Sequence, residues 1–247
     1  MTLPVAQVIN LDRSADRLRA VADRLDAAGL AWARHKASEV TALEALEHPL
    51  YRGDQARKWF GRDLSTGEIG CYLSHLSIFE SALARGDDII LVLEDDALPA
   101  PDAKQRLTDL VDWLRSGPPA PVDWIHLSRS STKWTRPLAD LSGLAVARTY
   151  RPPLISSASL WTRKGILGLQ AYVEREGIAR PVDNAFRNCF SRMGTAAVLD
   201  PPLFCEADVS STIGHDGPAE KTRLLGRRRG HKIEGYLWSS LNRLRGT

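Results

Sequence analysis

The sequence predicts a single α/β domain with a mostly parallel central sheet flanked by helices, followed by a basic helical tail. Three observations lead to this class. Residues 88–96 begin with an almost unbroken aliphatic run, which is typical of a strand buried on both faces. Strand-like runs alternate with segments whose apolar residues recur at helical spacing. A length of 247 residues is sufficient for one large domain, which we place at residues 1–216, with the tail at 217–247.

The first elements form a βαβ unit. Residues 5–11 predict a buried strand, Ser14 is a good N-cap for the helix that follows, and Gly29 is a plausible C-cap. Residues 31–37 predict the second strand. Residues 38–63 predict an irregular connection with helical turns at 41–47. Because so long a loop is uncommon, we expect a further element within it.

A long helix is predicted to open at Thr66 and to run to about Arg85, where Gly86 ends it. Gly70 lies inside this helix, where glycine costs about 1 kcal/mol relative to alanine. A glycine at such a position indicates that another backbone or a ligand approaches closely. The later elements are predicted as helices at 102–116, 164–176 and 181–193, strands at 122–128 and 196–199, a loop at 130–135, and a strand pair at 144–150 and 155–162.

Three acids, Glu94, Asp95 and Asp96, end the aliphatic run of residues 88–96. Carboxylates do not stay ionised inside a sheet without partners, so we expect them at the carboxyl end of the strand, where open α/β sheets bind ligands. A hard divalent cation carried by a phosphate-bearing substrate would relieve their repulsion. The plainer alternative is an acidic turn, with Pro99 and Pro101 ending the element.

Charge and cysteine content limit the class of protein. The net charge is +3, but residues 217–247 carry +6, which leaves −3 for residues 1–216 and indicates an anionic partner for the tail. Cys71, Cys189 and Cys205 are odd in number and widely spaced, which predicts reduced thiols and neither a disulfide framework nor a zinc site. We see no signal peptide and no membrane-spanning run, and we therefore expect a cytoplasmic protein.

Several blocks of residues, in this order, resemble glycosyltransferase family 25, the bacterial lipooligosaccharide β-galactosyltransferase-like enzymes related to collagen galactosyltransferase domains. The resemblance covers roughly residues 4–214. The block at 67–75, Gly-Glu-Ile-Gly-Cys-Tyr-Leu-Ser-His, is the most specific of them. The others are Val8-Ile9-Asn10-Leu11 with Arg13 and Arg17, then Leu93-Glu94-Asp95-Asp96, Pro181-Val182-Asp183 and Ser210-Ser211-Thr212-Ile213.

The resemblance implies a GT-A-type fold, a UDP-sugar donor, Mn²⁺ (or Mg²⁺) and inverting transfer of galactose or glucose to a glycan hydroxyl, as in lipopolysaccharide. A metal at a strand end can neutralise a departing diphosphate, and carboxylate oxygens suit Mn²⁺ and Mg²⁺. Strand alternation sends Glu94 and Asp96 to one side and Asp95 to the other. We assign Asp96 as the principal metal ligand, with Glu94 or Asp95 contacting the ribose or a metal-bound water and Glu94 as a candidate second ligand.

Two later residues are candidates for chemistry. Asp183 matches the family's aspartate and is the candidate general base that takes the proton from the acceptor hydroxyl. The alternative for Asp183 is a helix cap. His215 is a candidate third metal ligand, with Asp216 as the alternative in the same loop and an exposed loop histidine as the plainer interpretation.

The remaining donor-site candidates lie in the first two blocks. Asn10 and Leu11 end the first strand, where the uracil is expected to bind. Arg13 and Arg17 would reach the diphosphate or lie solvated on the surface. Glu68 and His75 either flank the nucleotide-sugar site or form an interior histidine with its polar neighbour.

The tail has two interpretations. Ile233, Leu237, Leu241 and Leu244 recur at helical spacing downstream of three arginines at 227–229. Such a helix would lie on an anionic membrane, which suits a lipid-linked oligosaccharide acceptor and a position on the cytoplasmic face of the inner membrane. Alternatively it packs on the body with its charges solvated. No nucleic-acid partner is expected.

Two rival functions deserve comparison. One is a non-catalytic relative that binds a nucleotide sugar or glycan, against which the acidic triplet and Asp183 weigh. The other is a nucleotidyltransferase, which would carry a glycine-rich, basic loop where this chain has Asn10 to Ala15. Residues 157–162 depart from the family's glycine- and tyrosine-bearing strand, which weakens inferences about the acceptor.

Overall fold

The computed structural model describes residues 2–130, 134–207 and 237–243. The strands are β1 (Ala6–Asn10), β2 (Trp32–Lys36), β3 (Ile89–Glu94), β4 (Ala97–Pro99), β5 (Trp124–His126), β6 (Thr135–Asp140), β7 (Ala145–Thr149), β8 (Ala158–Thr162), β9 (Ala196–Asp200) and β10 (Phe204–Glu206). The helices are α1 (Ala15–Ala27), α2 (Ala42–Glu47), α3 (Gly53–Phe60), α4 (Thr66–Arg85), α5 (Ala103–Arg115), α6 (Arg163–Glu176) and α7 (Val182–Met193), and residues 237–243 are also helical.

The central sheet has eight strands in the order β2-β1-β3-β8-β5-β9-β7-β6. β8 is antiparallel to both β3 and β5, and β7 is antiparallel to both β9 and β6. The other pairs are parallel, so six of the eight strands run in one direction. One end of the central strands carries the site. The carboxyl ends of β1, β3 and β5 meet there with the amino end of β8, and we call this end of the sheet the acidic edge because Glu94 lies there.

Helices cover both faces of this sheet. Ile90 and Val92 of β3 pack into a core that includes residues of α4, α6 and α7. Leu91 and Leu93 point the other way, into a core with residues of α1 and α5. A strand buried on both faces needs apolar residues at every position, which accounts for the aliphatic run. The alternation also directs Glu94, the next residue after Leu93, toward the α4 and α7 side.

The predicted fold class is confirmed: the chain is a single α/β domain with a mixed, mostly parallel central sheet, as the GT-A-type expectation requires. One prediction about pairing is wrong. The segments at 144–150 and 155–162 do form strands, but β7 and β8 do not pair, since β5 and β9 lie between them. Order within a sheet depends on contacts between distant segments, which local sequence does not encode.

Some elements differ from the prediction. The connection at 38–63 contains α2 where helical turns were predicted, and α3 is the further element that its length led us to expect. The small antiparallel pair of β4 and β10 was missed. The predicted loop at 130–135 overlaps β6, whose first residue is Thr135. The strand predicted at 88–96 ends at Glu94, because Asp95 and Asp96 form a turn.

Gly70 lies at a close contact between two backbones. A Cβ atom at this position would collide with the carbonyl oxygen of Ser38. The hydroxyl of Ser74 donates to the carbonyl of Gly70 at 2.7 Å and accepts from the Ser38 amide at 2.8 Å. The expected close approach is therefore confirmed, and the approaching group is the backbone that leaves β2.

The described part of the tail packs on the body. The hydroxyl of Ser239 donates to the Tyr150 carbonyl at 2.7 Å, and the side-chain amide of Asn242 donates to the Ser191 carbonyl at 2.7 Å. These contacts lie at the edge of the sheet opposite the acidic edge, because Tyr150 follows β7 and Ser191 is near the end of α7. Leu237 and Leu241 remain 57% and 40% exposed. No helix within the described ranges is long and apolar enough to span a membrane.

Candidate active site

Asp95 is held between β1 and α1. The side-chain amide of Asn10, at the end of β1, donates to Oδ2 of Asp95 at 2.7 Å. The guanidinium of Arg17, on α1, forms an ion pair with Oδ1 of the same carboxylate. Asn10 is held in turn by Arg34, whose Nε donates to Asn10 Oδ1 at 3.2 Å. With both oxygens engaged, Asp95 anchors the turn after β3.

Asp96 differs from its neighbour in its partners. Its Oδ2 lies 3.6 Å from the Arg17 guanidinium, whereas Oδ1 is buried with no hydrogen-bond partner among the residues that the structure describes. Burial raises the pKa of the Asp96 carboxyl, and the positive charge of Arg17 opposes that rise. An oxygen in this state is suited to accept a cation or a polar group of a ligand.

Glu94 is the last residue of β3 and is hydrogen-bonded to the segment before β8. Its amide donates to the Ser157 carbonyl at 2.8 Å, and its carboxylate accepts a hydrogen bond from the hydroxyl of Ser156. Burial raises the pKa of Glu94 to about 7, and the charges of Asp96, Asp95 and Asp183 add to the rise. The acids thus repel one another across the acidic edge.

Asp183 lies in the first turn of α7. Its Oδ1 accepts hydrogen bonds from the amide and the side chain of Asn184, at 2.6 and 3.0 Å. Burial raises the pKa of the Asp183 carboxyl, while Asn184 and the charge of Arg187 oppose the rise. The contacts to Asn184 are local, so the Oδ2 atom is left for other partners.

Cys71, on α4, lies within the electrostatic range of several acids. Burial raises the pKa of its thiol, and the charges of Glu94, Asp183 and Asp96 raise it further, in that order. The charges of three carboxylates, from β3, from the turn after it and from α7, therefore act on one position of α4. Because residues 95 and 96 form a turn, the predicted strand alternation ends at Glu94, and Arg17 contacts both Asp95 and Asp96.

The other predicted donor-site residues have structural partners of their own. Glu68 forms a capping box with Ser65 at the start of α4 and an ion pair with Arg62, at 2.7 Å. Arg13 is largely exposed and pairs with Glu39. Leu11 packs against the core on the α4 side of the sheet.

His75 is an interior side chain one turn after Cys71. It is fully buried, with its ring 5.3 Å from that of Phe186 in an edge-to-face arrangement. Its Nδ1 lies 3.0 Å from the Cys71 carbonyl oxygen and 3.9 Å from the Cys71 Sγ atom. These contacts correspond to the interior histidine that the sequence left as one alternative.

Sequence reasoning missed the hydroxyl groups that complete this edge. Ser156 contacts Glu94, and the buried Ser157 donates to Ser128, after β5, at 2.7 Å. The only signal was the departure from the family pattern at residues 157–162. Arg34 was also missed, because a charged residue in an edge strand usually indicates solvent exposure.

The chemistry of the donor set fits a hard divalent cation. Asp96 offers a buried oxygen without a partner, and Glu94 offers a second carboxylate beside it. In the part of the chain that the structure describes, no three His, Cys, Asp or Glu side chains are grouped closely enough to hold a metal by themselves. Mg²⁺ and Mn²⁺ sites of this kind take their remaining ligands from water and substrate phosphates. His215 and Asp216 lie outside the described residues.

Comparison with known proteins gives one family. The model of "Glycosyltransferase family 25 (LPS biosynthesis protein)" matches residues 4–182, which ends directly before Asp183. A Bos taurus protein named probable inactive glycosyltransferase 25 family member 3 is 34% identical over 110 residues, which cover 44% of this chain and 17% of the relative. Procollagen galactosyltransferase 1 of Danio rerio is 34% identical over 104 residues, which cover 41% of this chain and 17% of the relative. The chain thus spans about a sixth of these animal proteins.

Two solved structures are also similar. One is a glycosyltransferase involved in glycosylation of the major capsid of PBCV-1, with 11% identity, a TM-score of 0.43, and coverage of 84% of this chain and 96% of that one. The other is the galactosyltransferase LgtC in complex with donor and acceptor sugar analogues. It has 11% identity, a TM-score of 0.43, and coverage of 95% of each chain.

Proposed function

Because the chain belongs to glycosyltransferase family 25, we propose that it is a metal-dependent, inverting hexosyltransferase. In this proposal it moves galactose or glucose from a UDP-sugar to a hydroxyl of a cell-surface glycan such as lipopolysaccharide. The observation that carries the proposal is the buried Oδ1 atom of Asp96, which has no hydrogen-bond partner among the described residues, next to Glu94 at the end of β3. The charges of Glu94, Asp96 and Asp183 all act on Cys71, which supports placing the three acids in one site.

Asp96 and Glu94 would hold Mn²⁺ or Mg²⁺, which supplies positive charge to the diphosphate as it leaves. The arrangement of the residues supports this division of roles. Asp95 has both oxygens engaged by Asn10 and Arg17, so it is better suited to fix the turn than to bind a metal. The raised pKa of Glu94 reflects its burial first and then the charges of the neighbouring carboxylates, and a bound cation would oppose both effects.

Asp183 would act as the general base. A base for this step must lie within hydrogen-bond reach of the acceptor hydroxyl and must be unprotonated when the hydroxyl attacks. Asn184 occupies Oδ1, so Oδ2 would receive the proton. The raised pKa of Asp183 brings the carboxylate closer to the basicity that proton abstraction requires.

The donor would bind along the ends of β1 and β3. Asn10 and Leu11 would contact the uracil, and Arg17 is the cation best placed to meet a diphosphate, since it already lies against Asp95 and Asp96. Arg13, paired with Glu39 and largely exposed, would reach the phosphates only after leaving that partner. Glu68 would support this region through the start of α4.

The tail would bring the enzyme to an anionic membrane from the cytoplasmic side, where a lipid-linked oligosaccharide serves as acceptor. Support comes from the net charge of +6 over residues 217–247 and from the exposed Leu237 and Leu241 on the outer side of the helix. Each Lys or Arg near an anionic surface contributes about 1 kcal/mol of attraction. Ser239 and Asn242 contact the body, whereas Leu237 and Leu241 stay exposed within the described ranges.

The alternative is a non-catalytic relative that binds a nucleotide sugar or a glycan. Several proteins similar to this chain are named inactive, so the test below includes this alternative. The experiment is a panel of UDP-sugars assayed for Mn²⁺-dependent hydrolysis and binding, with Asp96→Ala beside the unaltered protein. Turnover that requires both Mn²⁺ and Asp96 supports the transferase. Binding without turnover supports the alternative, and full turnover in Asp96→Ala would refute the metal assignment.

A further inference from the structure

Arg180 is a buried arginine whose terminal nitrogens have no hydrogen-bond partner in the part of the chain that the structure describes. It precedes Pro181 at the start of α7 and is 1% exposed. Its guanidinium carbon lies 4.1 Å from the centre of the Trp59 ring, on α3. Neither Nη1 nor Nη2 has a hydrogen-bond partner among the described residues. Because arginine stays protonated in proteins, it cannot relieve its burial by losing charge.

Two buried phenols share this environment. Tyr72, on α4, is 0% exposed and Tyr172, on α6, is 3% exposed. The hydroxyl of each has no hydrogen-bond partner within the described ranges. Burial raises the pKa of both phenols, and the charge of Arg180 opposes the rise in each case. The guanidinium and the two hydroxyls therefore lie within range of one another's electric field.

The carboxylate that acts on Tyr172 is already paired with other arginines. Among the strongest charges acting on Tyr172, Glu176 is the carboxylate, and it is paired with Arg192 at 2.9 Å and with Arg175 at 3.2 Å. The charge of Arg192 also acts on Tyr172, in the same direction as that of Arg180. The strongest charges acting on Tyr172 are thus those of two arginines and of one carboxylate that is already engaged, beside hydrogen-bond donors that have no partner within the described ranges.

We propose that Arg180, Tyr72 and Tyr172 form a binding site for a small inorganic anion of the chloride type. Such an ion would accept hydrogen bonds from Nη1, Nη2 and both hydroxyls, and it would also supply the missing negative charge. A water molecule would satisfy some of the donors but would leave the charge uncompensated. The site lies outside the proposed catalytic residues and does not depend on the transferase activity.

The position of the site gives it a structural consequence. The segment that carries Arg180 is fixed on one side by two backbone hydrogen bonds. The amide of Ile178 donates to the Leu50 carbonyl at 2.7 Å, and the amide of Arg52 donates to the Ile178 carbonyl at 3.0 Å. The anion would fix the other side through Arg180. Asp183 follows three residues later, so the ion would set where α7 begins.

The first test is the thermal stability of the full chain as gluconate is replaced by chloride at constant ionic strength. A ligand that binds only the folded state raises the melting temperature, by roughly 5–10 °C at a hundredfold excess over its dissociation constant. We expect a saturable rise for the unaltered protein. A melting temperature that does not respond to chloride would overturn the proposal.

Variants then locate the response. Arg180→Met keeps the length of the side chain without its charge, and it should abolish the chloride effect. If that variant does not fold, the double variant Tyr72→Phe and Tyr172→Phe removes the hydroxyls while keeping the rings, and it should weaken the effect. Arg163→Met, at an exposed arginine of α6, is the control and should respond like the unaltered protein. An equal chloride response in Arg180→Met would refute the site.

A direct observation completes the test. Crystals of the full chain grown in bromide should show an anomalous scattering peak within hydrogen-bond distance of Arg180 Nη1 or Nη2. Density without anomalous signal at that point would identify a water and would contradict the proposal. So would an anomalous map in which bromide lies only at the protein surface.

Discussion

The Nε2 atom of His126 lies 2.8 Å from the carbonyl oxygen of Ile155, so the end of β5 is joined to the segment before β8. The other ring nitrogen, Nδ1, accepts from the amides of Ser128 and Arg129 at 3.3 and 3.2 Å. These roles require a neutral ring with its proton on Nε2. The next residue after Ile155 is Ser156, which binds Glu94. His126 therefore helps to hold in place the segment that contacts Glu94 at the acidic edge.

Protonation of His126 should destabilise the fold. Burial, with smaller contributions from the charges of Arg129 and Arg187, lowers the pKa of His126 to about 4. In the unfolded chain the pKa is about 6.5, so between these values the unfolded state binds more protons and the free energy of unfolding rises with pH. The contribution is complete above about pH 6.5 and is lost toward pH 4. It amounts to about 3 kcal/mol.

Urea unfolding of the unaltered protein and of His126→Gln, at about pH 7 and pH 5, measures this contribution. The glutamine does not titrate, so the difference between the two pH values should be smaller in the variant. His75 is a second source of the same dependence, because burial lowers its pKa to about 4 as well. An unchanged difference in His126→Gln would show that the neutral ring does not matter for stability.

Asp95→Asn and Asp96→Asn should have opposite consequences. Asp95→Asn weakens the ion pair with Arg17 and disturbs the hydrogen bond from Asn10, which should lower the free energy of unfolding by about 1–3 kcal/mol. Asp96→Asn removes a buried negative charge that has one unpartnered oxygen within the described residues, so stability should hold or increase. The second variant should instead weaken Mn²⁺ binding by at least the roughly 10–100-fold that loss of an outer-shell partner of a metal site costs.

These two variants are compared by chemical unfolding and by Mn²⁺ titration on the same preparations. The pair is its own control, since each changes one carboxylate of a single turn. Equal losses of stability, or stronger Mn²⁺ binding to Asp96→Asn than to Asp95→Asn, would reverse the assignment of the anchor and the ligand.

Replacement of Asp183 by asparagine should act on turnover more than on binding. Loss of a general base lowers kcat by roughly 10²–10⁴-fold, whereas the donor contacts of β1 and β3 are untouched. Sugar transfer to an acceptor and UDP binding are measured in parallel. Glu174→Gln, an exposed carboxylate on α6, is the matched control and should keep full activity. If transfer falls only as far as UDP binding falls, Asp183 acts as a helix cap and not as the base.

Gly70→Ala should destabilise the protein although alanine is the better helix former. The added methyl group collides with the Ser38 carbonyl, and overpacking against a backbone costs about 1–3 kcal/mol. Gly168→Ala, in α6, is the control because its methyl group meets the flexible end of Met193. Thermal or urea unfolding of both should show the larger loss at Gly70. A gain in stability at Gly70 would mean that the two backbones separate easily.

Vesicle binding tests the role of the tail. Leu237→Ser together with Leu241→Ser removes exposed apolar surface from the helix, and each buried leucine contributes about 1.5–3 kcal/mol on transfer from water. Co-sedimentation with anionic vesicles should fall at least tenfold, and neutral vesicles should bind neither protein. Leu167→Ser, at an exposed leucine of α6, is the control. Unchanged sedimentation of the double variant would argue against membrane contact through this helix.

The sequence was most informative where structure is local. The helix from Thr66 to Arg85 is observed as predicted, because a capping box of Ser65 and Glu68 opens it and Gly86, with φ of 81°, ends it. β6 was missed because it is an edge strand that carries Pro137 and exposed polar residues, so it lacks a buried face to produce a pattern.

For the candidate site, too, the sequence was informative about local features and uninformative about contacts between distant segments. The acids after β3 and Asp183 were recognisable because residue type and spacing identify them. Their supports were not, since Ser156 meets Glu94 only because β8 lies beside β3, and His126 meets Ile155 across 29 residues of chain. Contacts of this kind depend on strand order, which is a property of the whole sheet.

The helix at 237–243 and the acidic edge lie at opposite ends of the strands, and under the proposed function this separation would constrain the acceptor. Strands of this length extend for roughly 20 Å. A molecule resting on a membrane through Leu237 and Leu241 would hold Asp96 and Asp183 at least that far above the lipid headgroups. The protein would then select acceptors by length. Sugars next to the lipid would be out of reach, and the growing end of an already extended glycan chain would meet the base.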